Sequence, residues 1–146
     1  MRIIFTALFS WIAFSSVISC GKKTAGNQTP IPSQTINYTG TFKKMDSATS
    51  SASGTVSVAF NPSTLAVAYS ITWHSLSSLP IAMHFHDNGP VIITITGYPI
   101  SLDQTFSGTT SFDNTQATDL ASGYIFIMIH TTNYPGGEIM APLVKQ

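Results

Sequence analysis

Arginine occurs once in the 146 residues, as Arg2, and cysteine once, as Cys20. Charged side chains make up 8% of the chain against 43% hydrophobic, and the formal net charge is zero. Each scarcity excludes something. Nucleic acid and phosphate ligands depend on guanidinium forks or a basic field, and this chain has neither. A balanced charge gives no long-range steering of a charged partner. There is no Gly-x-Ser-x-Gly elbow, no cysteine beyond Cys20 and no motif of paired acids, so nucleophilic hydrolysis and glycoside cleavage have no visible apparatus. Ser, Thr and Asn fill the polar positions that charged residues usually hold.

The amino terminus reads as an address. In MRIIFTALFSWIAFSSVISC one basic residue precedes an apolar run from Ile3 to Val17, short for a bilayer span and suited to a signal peptide. Val17-Ile18-Ser19-Cys20 resembles the bacterial lipobox, which makes residues 1–19 a lipoprotein signal peptide and Cys20 the lipid-modified first residue of the mature chain. Residues 20–34 carry two prolines and two glycines without apolar periodicity. They read as a flexible linker that spans about 20 Å as a coil. The expected location is the cell envelope, anchored through lipid to a bacterial membrane and facing the periplasm or the surface.

From residue 35 to 146 the pattern has period two. Val56, Val58 and Phe60 alternate with small or polar residues, and so do Leu65, Val67, Tyr69, Ile71 and Trp73 after an Asn-Pro turn. Further strands are expected over 36–42, 81–86, 91–96, 105–112, 124–130 and 138–143. NTQATDLASG allows one short turn of helix, and KKMDSATSSAS reads as a mobile polar loop. Seven to eight short strands in this length predict an all-β fold, an antiparallel β-sandwich.

The chemistry concentrates on histidine. MHFHD places His84 and His86 two apart, so in a strand both rings stand on one face, as a ligand pair requires. His130 ends a later strand. The Tyr-Pro-Gly-Gly turn after it returns the chain through Glu138 and Met140, which are expected to share a face. Together His84, His86, His130, Glu138 and Met140 form a donor set for copper or zinc, with the thioether favouring Cu(I). Ring centres further apart than about 8 Å exclude a shared ion, given metal–nitrogen bonds near 2 Å. Asp87-Asn88-Gly89 reads as a turn. His74, beside Trp73, reads as exposed or packing.

These same segments resemble the CHRD domain, a module named after chordin. The resemblance rests on His84-x-His86, then Gly89-Pro90-Val91, then Gly123-Tyr124, His130-Thr131 and Pro135-Gly136-Gly137-Glu138. It covers roughly residues 36–144. The family usually continues Gly-Glu-Ile with Arg-Gly-Gln, where this chain has Met140-Ala141-Pro142. The resemblance implies a β-sandwich in an extracytoplasmic setting and implies no reaction. Three functions fit: an interaction module for a protein partner, which leads, a copper or zinc binding module, and a dismutase-type redox enzyme. Catalytic residues are not assigned.

Overall fold

The computed structural model describes residues 34–146, so the expected signal peptide, Cys20 and nearly all of the expected linker lie outside the described residues. In chain order the elements are β1 (Ile36–Lys44), β2 (Ser53–Asn61), β3 (Ala66–His74), β4 (Pro80–Asp87), β5 (Val91–Thr94), β6 (Gln104–Ser111), α1 (Asn114–Ser122), β7 (Ile125–Thr131), β8 (Ile139–Pro142) and β9 (Val144–Lys145). They pair in the order β5-β4-β7-β8-β1-β2-β3-β6, with β9 beside β1. The path turns a corner at β1–β8, where only Lys43 with Met140 and Lys44 with Ile139 are in register. One sheet is thus β6-β3-β2-β1 and the other β5-β4-β7-β8, an antiparallel β-sandwich as the alternation predicts.

The inward residues are those of the alternation. Tyr38, Phe42, Val56, Val58, Phe60, Val67, Tyr69, Ile71 and Trp73 come from the first sheet, and Met83, Phe85, Ile125, Ile127, Ile129 and Ile139 from the second. Phe85 joins the layers edge-to-face, 5.5 Å from Tyr69 and 5.6 Å from Phe112 between ring centroids. Trp73 is fully enclosed, and its indole N–H donates to Ser101 O at 2.9 Å. Its neighbour Thr72 faces outward and bonds Thr105 across the strand pair at 2.9 Å.

Two segments are more ordered than the sequence predicts. Residues 114–122 form a helix of nine residues rather than one turn. Asp113 and Gln116 close a capping box at its start and Gly123, in the left-handed region at φ 80°, ends it. Only Leu120 is buried, which is why no helical period shows in the sequence. The 43–53 excursion is pinned at its middle: Ala48 and Ala52 are buried, and Thr49 N–H donates to the Tyr134 hydroxyl at 3.1 Å.

Candidate metal centre

Strands β4 and β7 build the site. Their register sets Ala82 against His130, His84 against Met128 and His86 against Phe126. Met83 and Phe85 point into the core, so His84 and His86 stand on the outer face of the sheet, as their spacing predicts. On β7 Ile127 and Ile129 point inward, leaving Phe126, Met128 and His130 on that same outer face. Ala82 is small, which leaves room for the His130 ring to lean across the strand pair.

The three rings converge. Centroids lie 5.0 Å apart for His84 and His130, 5.7 Å for His84 and His86, and 5.9 Å for His86 and His130. All three distances fall well inside the 8 Å limit. Each residue offers one nitrogen, and these nitrogens lie within 4.8 Å of one another. A tetrahedral ion with bonds of about 2.05 Å needs nitrogens about 3.4 Å apart, so the three would have to draw somewhat closer around one.

Two of the rings are held by the backbone. His86 Nδ1–H donates to Gly89 O at 2.8 Å, and His130 Nδ1–H donates to Pro135 O at 2.9 Å. Both acceptors come from turns. Asn88 and Gly89 take positive φ of 47° and 129°, and Asp87 N–H closes that turn on Pro90 O at 2.9 Å. The second turn is closed by Gly137 N–H on Tyr134 O at 3.0 Å. His86 is also stacked flat on Phe126, 4.9 Å between centroids and 7° between planes.

Because a carbonyl can only accept, Nδ1 of His86 and of His130 carries the proton. In the neutral ring Nε2 is then a bare lone pair. His84 Nδ1, His86 Nε2 and His130 Nε2 are buried and have no hydrogen-bond partner among the described residues. Two acceptors cannot satisfy each other, and buried polar atoms are rarely left unpaired. Such a set could accept a cation or hydrogen bonds from a donor outside the protein. Burial lowers the pKa of His84 from its ordinary value, and the neighbouring His130 and His86 lower it further, which keeps the ring in its ligating form.

Glu138 does not join them. It is fully buried on the inner side, and its carboxylate accepts from Ser50 Oγ–H, from Ser77 N–H at 2.8 Å, from Ser77 Oγ–H at 3.0 Å and from Thr131 Oγ–H at 2.7 Å. Burial raises its pKa, but hydrogen bonds from Ser50, Thr131 and Ser77 outweigh that and hold it below the ordinary carboxylate value. The sequence expectation that Glu138 and Met140 share a face fails for a local reason. Glu138 N–H donates to Ile129 O, yet Ile139 also opposes Ile129 in the ladder. Two residues facing one is a β-bulge, and it turns Glu138 inward while Met140 stays on the outer face. Met140 pairs with Met128 and so stands one strand further from His84 than Met128 does. His74 lies apart, exposed and 3.6 Å from Asp103.

Sequence reasoning missed Met128 and the carbonyls of Gly89 and Pro135. The spacing of Met128, two residues before His130, was the available signal.

Fold and site define a class: an all-β sandwich domain with three imidazoles gathered on the outer face of one sheet. The CHRD domain matches residues 34–141, and the chain belongs to the CHRD domain family. Membership points to a binding or interaction module in general. Neither the curated proteins nor the solved structures contain a match to the chain.

Proposed function

We propose that the protein is a CHRD binding module whose ligand is one copper or zinc ion, held by His84, His86 and His130. The observation that carries this reading is the set of three buried, unpartnered imidazole nitrogens, two of them bound to be acceptors by the carbonyls on the far side of their rings. Backbone carbonyls behind ligating histidines fix ring orientation and raise ligand basicity, the outer shell that metal-binding histidines ordinarily have. Nitrogen donors of this kind suit Zn(II) and copper and are poor for magnesium or calcium.

The module is carried on a chain tethered at Cys20 in the bacterial cell envelope, a reading supported by the lipobox-like Val17-Ile18-Ser19-Cys20. Cys20→Ser should release it from the membrane fraction, and unchanged fractionation would refute the anchor.

Equilibrium dialysis against Zn(II) or Cu(II), followed by metal analysis, tests the ligand. The protein should retain one equivalent, and His84→Ala combined with His86→Ala should retain none while keeping the β-sheet circular dichroism spectrum. Equal retention by both proteins would refute the assignment.

A further inference from the structure

The outer face around the triad is a small grid. Its β4 column is Ala82, His84, His86 and its β7 column is His130, Met128, Phe126, row against row. Neighbouring columns lie about 4.8 Å apart and successive rows about 6.8 Å. His130 is in the first row and His86 in the third, yet their ring centroids are only 5.9 Å apart, and His84 in the middle row is 5.0 Å from His130. The rings therefore lean toward the middle row. The residue that shares this row with His84 is Met128.

Met128 is 7% exposed, so its side chain is packed against its neighbours on this face rather than standing out in solvent. Gly137 makes room for it. A side-chain carbon at position 137 would overlap Met128 Sδ, and the backbone there has φ of 118°, a conformation that side chains disfavour. Gly137 belongs to the turn whose Pro135 carbonyl holds His130. The sulfur is thus packed against the same turn that orients one of the three ligands.

We infer that Met128 is the sulfur donor of this centre and that the centre is built for copper, in particular for Cu(I). This rests on the triad being a metal site. A thioether is a soft, neutral donor. It adds much to binding of Cu(I) and little to binding of Zn(II), which three imidazoles already satisfy. Met128, not Met140, sets this preference, because Met140 is one column further out, on β8.

The test is Cu(I) affinity of the full chain, measured anaerobically by competition with bicinchoninate, alongside Zn(II) affinity measured with a chromophoric chelator. Met128→Leu keeps the volume and removes the sulfur. It should weaken Cu(I) binding at least tenfold and change Zn(II) binding less than about twofold, whereas Met140→Leu should change neither. Unchanged Cu(I) binding in Met128→Leu, or a loss confined to Met140→Leu, overturns the inference while leaving the triad intact. Failure of the wild-type protein to bind either metal, or binding that survives His84→Ala, refutes the triad itself. X-ray absorption of the Cu(I)-loaded wild-type protein gives a second reading that needs no variant. It should require a sulfur scatterer, and a purely nitrogen-ligated spectrum contradicts the role of Met128.

Discussion

Two polar clusters lie on opposite sides of the turn between β7 and β8, and they are built on opposite terms. On the inner side the Glu138 carboxylate is fully buried and accepts four hydrogen bonds from Ser50, Ser77 and Thr131. On the outer side His84, His86 and His130 keep three buried nitrogens that no described residue partners. A buried group whose bonds are complete stabilises and locates the chain around it. One whose lone pairs converge without donors is the kind of site proposed here to take a ligand. The single acidic residue that the sequence offered as a ligand therefore proves structural, tying β7 to the 43–53 and 75–79 loops.

The contrast can be broken most forcefully by adding metal. At a free ion concentration a thousandfold above Kd the native state gains about 4 kcal/mol by mass action. Thermal unfolding should show that gain in the wild-type protein and in Glu138→Gln, and should lose it in His84→Ala. A gain that persists without His84 would mean that the ion binds elsewhere. Next in size is the metal-free stability itself. Glu138→Ala leaves several buried donors unpaired and should cost about 3 kcal/mol in a urea titration. His84→Ala removes a ring whose Nδ1 has no hydrogen bond to lose among the described residues and should cost less than about 1 kcal/mol. If the two variants were equally damaging, the division into a structural and a ligand cluster would fail.

The smallest effects lie in the pH dependence of the metal-free protein. The folded-state pKa of His84 is lowered, so its neutral form is favoured by folding. That contribution is complete above the unfolded value near 6.5 and is lost as pH falls through the folded value. The folded-state pKa of Glu138 is also lowered, so its contribution is complete above about 4.5 and is lost at more acid pH. Stability should accordingly fall in two stages on acidification. His84→Ala should remove the first stage alone and Glu138→Gln the second. A single stage below about 4.5 in the wild-type protein would contradict the account of His84.

Much of this architecture was legible in the sequence because period-two alternation reports directly on a strand with one buried face. Tyr69, Ile71 and Trp73 are all enclosed, as their spacing implied. The pairing of His84 with His86 and the approach of His130 were legible for the same reason. Met128 was hidden by its surroundings. In Ile125-Phe126-Ile127-Met128-Ile129 both faces are apolar, so no alternation separates the inward isoleucines from the outward Phe126 and Met128. Glu138 was misplaced by one extra residue in the β8 ladder, and a bulge of that kind leaves no mark on hydropathy. The order in the 43–53 loop was invisible because its partners are remote in sequence: Thr49 meets Tyr134 and Ser50 meets Glu138.

On the reading proposed here, the unpartnered nitrogens of His84, His86 and His130 are the ligands of one ion. Anomalous diffraction from crystals grown with Zn(II) or copper, collected at the metal absorption edge, addresses those atoms directly. The account predicts one peak on the outer face of the β4–β7 pair, about 2 Å from His84 Nδ1, His86 Nε2 and His130 Nε2, with Gly89 O and Pro135 O still accepting from the opposite nitrogens. No peak at the triad, with ordered water hydrogen-bonded to those three nitrogens instead, would contradict it.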